Sequence, residues 1–100
     1  MKDKLKTPAM DYFFDAVLTL KSREECYNFF EDVCTISELQ AISQRFAVVK
    51  RLANEETYTS IALETGASTA TISRVKKCLN YGADGYKLVL RKMGLSNKES

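Results

Sequence analysis

The chain has 100 residues, 45% of them hydrophobic, and a formal net charge of +2 at pH 7. This length suffices for one domain, but its core would be thin unless two chains share it, so a homodimer is expected. The lack of histidine and the odd number of cysteines, with no Cys-x-x-Cys pair, argue against a zinc ribbon or a disulfide framework, and no metal site is predicted.

Periodic apolar residues predict three helices in the first half of the chain. Between Met10 and Leu18, apolar residues recur at intervals of three and four, which predicts a helix at about 9–20. Ser22-Arg-Glu-Glu25 has the form of a capping box, in which hydroxyl and carboxylate satisfy free backbone N–H groups at a helix start. Thr35-Ile-Ser-Glu38 repeats this pattern before a long periodic segment, which predicts a helix at about 36–54.

The aromatic residues of these helices recur at helical spacing. This spacing favours core or dimer-interface positions over a cofactor pocket. Cys26 and Cys34 are expected to be small buried apolar residues. The phenylalanines concerned are Phe13, Phe14, Phe29, Phe30 and Phe46.

Three further helices are predicted in the second half. Helical periodicity resumes near Thr57 and continues to Gly66, and a second periodic segment ends at Leu79. Asn80 to Gly85 predicts a loop, and a last helix at 84–93 would have Gly94 as its C′ residue. The tail 96–100 is expected to be frayed. No linker or repeat divides the chain, so residues 1–100 are predicted to form a single domain.

Residues 57–79 meet the requirements of a helix-turn-helix. This motif needs a small residue where the helices cross and a residue tolerant of left-handed φ in the turn. Ala62 and Gly66 supply these, and Ser68 is placed to cap the second helix. The positions expected to be buried are Ile61, Ala67, Ile72 and Val75.

The opposite face of the second helix, 69–79, is small, polar and basic. Short side chains near its start allow close approach to base edges in a DNA major groove, and the longer basic side chains suit phosphates. Residues 45–92 carry nine Lys/Arg against four Asp/Glu, whereas residues 1–44 carry five against eight, so the motif lies in the basic half. The predicted DNA-binding residues are Ser68, Thr69, Ala70, Thr71, Ser73, Arg74, Lys76 and Lys77.

Other classes of function compete with double-stranded DNA binding. An enzyme is not expected, because no histidine base or glycine-rich phosphate loop occurs. A helical dimeric protein-interaction module is an alternative, and salt-dependent retention on duplex DNA would distinguish it. No apolar run reaches the length of a membrane span, so a cytoplasmic protein without a membrane partner is expected.

The string Glu64-Thr-Gly-Ala-Ser-Thr-Ala-Thr-Ile-Ser-Arg74 resembles the helix-turn-helix of the bacterial tryptophan repressor family, especially its uncharacterised repressor-like branch. Thr35 to Arg45 resembles that family's long central helix, and the resemblance covers roughly residues 10–93. It implies an all-α, six-helix subunit in an intertwined homodimer, with dimerisation helices at 9–54. The helix-turn-helix units of the two subunits would then insert into successive major grooves of DNA. It implies a transcriptional regulator; a non-regulatory role, similar to a replication-initiator reading head, is the runner-up.

The same resemblance implies a ligand site. In the tryptophan repressor, two arginines and a threonine bind the tryptophan ligand. These residues correspond to Arg74, Arg45 and Thr35 in this chain. Val75 replaces the family's glycine, and its β-branched side chain would narrow the room for an indole ring. Tryptophan is therefore not expected as a cofactor, and either no effector or a smaller one is predicted. An ion pair is the alternative role for Arg45.

Overall fold

The computed structural model describes residues 2–95, which form seven helices and no strand. The all-α fold class is confirmed, with the short helix α1 in addition to the six predicted. No helix in the described stretch combines the length and apolar character needed to cross a membrane. The tail 96–100, expected to be frayed, lies outside the described residues. The helices are α1 (Lys2–Leu5), α2 (Pro8–Val17), α3 (Arg23–Val33), α4 (Ile36–Ala53), α5 (Tyr58–Thr65), α6 (Thr69–Tyr81) and α7 (Gly85–Lys92).

The chain divides into two compact units, one up to Ile36 and the other from Ser37 onward. In the first, the Ser22 hydroxyl accepts the Glu25 N–H at 3.1 Å and caps α3 as predicted. The Glu25 carboxylate in turn accepts a bond from the Lys21 N–H at 2.9 Å, one residue before the N–H that a capping box uses.

Helix α2 ends earlier than the predicted boundary at residue 20. Beyond Val17 the N–H groups of Thr19 and Leu20 bond to carbonyls three residues back, at 3.1 Å each. The Thr19 hydroxyl also donates to the Ala16 carbonyl at 2.7 Å. These bonds form a tightened last turn that satisfies carbonyls the helix would otherwise leave unpaired.

The first unit contains an aromatic cluster that is not buried. The ring centroid of Phe13 lies 5.9 Å from that of Phe29 and 6.5 Å from that of Phe30, and the last two rings meet edge to face at 5.3 Å. Neither α2 nor α3 contains a buried residue. Cys26 is exposed and Cys34 half-buried, so the expectation that both are buried is wrong.

The second unit has a compact apolar core. Its inner residues are branched or small, and they come from all four helices and from the turn before α6. Phe46 packs against this core, as its spacing predicted. The core residues are Val48, Val49, Ala53, Ile61, Ala67, Ile72, Val75 and Leu90.

The ends of α6 and α7 depend on glycines. Helix α6 continues through Tyr81, within the predicted loop, and ends at Gly82, where a Cβ would clash with the Cys78 carbonyl. Gly94 has φ +73° and follows α7 as predicted. Its N–H bonds to the Arg91 carbonyl at 3.0 Å, while the Leu95 N–H bonds to the Leu90 carbonyl at 2.7 Å. This pair of bonds is the Schellman motif.

Candidate DNA-binding site

The turn between α5 and α6 has the predicted geometry. Gly66 has φ +74° and donates its N–H to the Ala62 carbonyl at 2.9 Å, which ends α5. The Ser68 hydroxyl then accepts the Thr71 N–H at 3.1 Å and begins α6. A left-handed conformation costs glycine little, whereas a Cβ would strain it. The two helices therefore change direction over a three-residue turn, 66–68.

Burial fixes which face of α6 is turned outward. Ile72 is 0% exposed and Val75 3% exposed, and both pack with Ile61 of α5 and Ala67 of the turn. The predicted inner positions of the motif are confirmed. Because residues three and four apart share a helix face, burial of this pair turns the intervening positions toward solvent.

The exposed face of α6 holds most of the predicted DNA-binding residues. Short side chains lie in its first turns and longer basic side chains follow, the arrangement expected of a helix that meets base edges first. Thr71 differs, because it is half-buried and its hydroxyl accepts a bond from the Ser68 hydroxyl at 3.1 Å. The exposed predicted residues are Ser68, Thr69, Ala70, Ser73, Arg74, Lys76 and Lys77.

One of the lysines has a partner that the sequence did not suggest. The Lys76 ammonium lies 5.6 Å from the centre of the Tyr58 ring, at the start of α5. This distance is within the range of a cation–π interaction. Lys76 therefore links α6 to α5, and its position is more restricted than that of a freely solvated lysine.

A cavity of about 230 Å³ lies beside α6. It brings together Arg45 of α4 and Arg74 of α6, two of the three residues that the resemblance assigned to a ligand. Val75 forms part of the wall, as the resemblance implied. The third assigned residue, Thr35, belongs to the first compact unit. The other lining residues, which sequence reasoning missed, are Thr71, Cys78 and Tyr86.

Helix α4 also holds the turn directly. The Gln44 side-chain amide donates to the Thr65 carbonyl at 3.2 Å. That carbonyl belongs to the last turn of α5, where helical carbonyls lack partners within the helix. The bond attaches the end of α5 to the long helix, a role for which the sequence carries no local signal.

Comparison with known proteins agrees with this geometry. The chain is 51% identical to the uncharacterised protein YerC of Bacillus subtilis over 98 residues, which cover 98% of this chain and 94% of YerC. The crystal structure of a provisionally assigned Trp repressor from Staphylococcus aureus superposes with a TM-score of 0.93 at 49% identity, over 98% of each chain. A TrpR-like protein from Eubacterium eligens gives a TM-score of 0.91 at 55% identity, over 96% of this chain and 99% of that one.

The sequence pattern of a family described as Trp repressor protein matches residues 8–94. The match includes α2 to α7 and the whole helix-turn-helix. It agrees with the resemblance of the segments Glu64 to Arg74 and Thr35 to Arg45 to the tryptophan repressor family. The chain belongs to the Trp repressor family.

Proposed function

We propose that this chain is a cytoplasmic, sequence-specific, repressor-like DNA-binding transcriptional regulator that acts as a homodimer and reads the major groove with α6. The observation that supports this most is the division of α6 into a buried apolar face and an exposed small, polar and basic face. The Trp repressor family, whose members are DNA-binding regulators rather than enzymes, supports the same function.

Different residues of α6 would contact the bases and the phosphates of DNA. Thr69, Ala70 and Ser73 carry short side chains near the helix start, where a recognition helix meets base edges. Lys77 and Arg74 are longer and charged, and suit phosphate contacts that fix the position of the protein. In a two-fold symmetric dimer, the half-sites would lie about one helical turn of DNA apart, or a multiple of it.

Selection of bound fragments from random duplexes, followed by titration at several salt concentrations, tests this function. We expect a preferred duplex and an affinity that falls as salt rises. Absence of salt-dependent binding to any duplex would contradict the proposal and favour a protein-interaction module.

Lys77→Ala is expected to weaken binding to preferred and scrambled duplexes alike. Loss of one phosphate contact should reduce the salt slope by about one counterion. Lys50→Ala is the matched control, because Lys50 is also exposed but lies on α4, outside the proposed site. An unchanged salt slope in Lys77→Ala, or an equal reduction in both variants, would remove Lys77 from the proposed interface.

The cavity beside α6 supports regulation by a small anion. Arg45 and Arg74 line the cavity from different helices, so a negatively charged ligand bound by their guanidinium groups would connect α4 to α6. Its volume, about 230 Å³, is below the range of about 300–1,000 Å³ typical of sites for drug-sized ligands. Val75 occupies part of the wall, so we do not propose tryptophan as the effector.

Tryptophan is expected to bind this protein no more tightly than millimolar, because a β-branched side chain in a helix cannot easily move aside for an indole ring. Isothermal titration calorimetry with tryptophan checks this. Micromolar affinity that Arg74→Ala abolishes would show that the cavity accepts the indole, and the proposal of a smaller effector would be withdrawn.

A further inference from the structure

A half-buried ion pair joins α4 to the helix-turn-helix. The Arg51 guanidinium, near the end of α4, lies 3.0 Å from the Glu56 carboxylate through its Nη1 atom. Its Nη2 atom lies 3.9 Å from the Glu64 carboxylate on α5. The Arg51 and Glu56 side chains are 34% and 27% exposed, so water screens this pair less than a surface pair. One arginine therefore contacts both the segment before α5 and the helix itself.

Glu56 is held by more than this pair. Its carboxylate also accepts a bond from the Ser60 hydroxyl in the first turn of α5, at 3.4 Å. Its backbone N–H bonds to the Arg51 carbonyl at 3.2 Å. These contacts restrain the start of α5 relative to α4, while the Gln44 bond to Thr65 restrains its end.

A carboxylate here opposes DNA binding if only its charge is considered. Negative charge near the reading helices repels phosphates and lowers affinity for every duplex. Base contacts depend on placement within about 0.5 Å, whereas flexible lysine contacts to phosphates tolerate larger shifts. A residue that fixes the orientation of α6 would therefore affect discrimination between sequences more than affinity for DNA in general.

We propose that Glu56 is a positioning residue that, through Arg51 and Ser60, sets the orientation of α5 and α6 on α4 and so increases discrimination between DNA sites. This inference rests on the proposed DNA-binding function. It assigns a specificity role to an acidic residue that does not itself touch DNA.

The test compares Glu56→Gln with Glu55→Gln, its neighbour in the chain. Both substitutions remove one negative charge and keep the side-chain size, but Glu55 is exposed and Glu56 is held by Arg51 and Ser60. We expect Glu55→Gln to strengthen binding to preferred and scrambled duplexes by the same factor. Glu56→Gln should instead lower the ratio of preferred to scrambled affinity by about fivefold, the scale of one well-formed ion pair.

Arg51→Lys provides a second measurement, because it keeps the charge but loses the guanidinium fork that reaches two carboxylates. It should lower the same ratio with little change in the salt slope. Thermal unfolding of each variant, followed by circular dichroism, shows that the comparison is made on folded protein. If Glu56→Gln does not fold, the ratio of preferred to scrambled affinity measured for Arg51→Lys tests the positioning role.

The wild-type chain separates the two ways in which the test can fail. If it binds preferred and scrambled duplexes equally, the proposed function is contradicted. If the wild-type chain prefers the selected duplex, but Glu56→Gln and Arg51→Lys keep its ratio of preferred to scrambled affinity, the positioning role is overturned. The proposed DNA-binding function then stands.

Discussion

Replacing Leu18 with lysine is expected to break the proposed homodimer, whereas the same change at Leu63 should leave it intact. Both leucines are highly exposed in the single chain, 80% and 83% respectively. Leu18 directly follows α2, within the proposed dimerisation helices, and Leu63 lies on α5 outside them. Burial of a leucine contributes about 1.5–3 kcal/mol, and a two-fold interface would lose this twice, with two charges left to desolvate.

The apolar surface of the first compact unit is the physical reason to expect the proposed dimer. Helices α2 and α3 contain no buried residue, and the Phe13, Phe29 and Phe30 rings contact one another while remaining partly exposed. A second chain would remove this surface from water. Folding and association would then be linked, so the wild-type Tm should rise with protein concentration.

Light scattering checks the assembly. The wild-type mass should be about twice the 11.3 kDa of one chain, and Leu63→Lys should keep that value. Leu18→Lys should give monomer or unfolded chain at micromolar concentration. A folded wild-type monomer at that concentration, with a Tm independent of concentration, would rule out an obligate dimer.

Ser73→Ala and Thr69→Ala should each cost about 1–3 kcal/mol of binding free energy on the preferred duplex, with little loss on scrambled DNA. Both residues are exposed and lie within the first turns of α6. A base-edge contact distinguishes sequences, so its loss should reduce discrimination and leave the general electrostatic affinity unchanged.

Ser43→Ala is the matched control, because Ser43 is an exposed helical serine on α4. Titrations at fixed salt, on the selected and scrambled duplexes, give both affinities for each variant. If Ser73→Ala, Thr69→Ala and Lys77→Ala all leave both affinities unchanged, α6 is not a reading helix and the proposed function fails.

The sequence alone determined the features that depend on neighbouring residues. The caps at Ser22 and Ser68 and the left-handed turns at Gly66 and Gly94 follow from contacts a few residues apart along the chain. The inward positions of the motif, such as Ile72, follow from the helical period. Helix ends were less predictable, since Asn80 and Tyr81 suggested a loop but lie in α6.

Only the tertiary structure decided which groups from separate elements of the chain meet. The contact of Lys76 with Tyr58, the ion pair of Arg51 with Glu56 and the bond from Gln44 to Thr65 join different elements of the chain. No local pattern encodes them, because each depends on the distance and rotation between packed helices and on the rotamer that packing allows. For the same reason the sequence placed Arg45 and Val75 at one ligand site only by resemblance, whereas packing brings both residues to the same cavity.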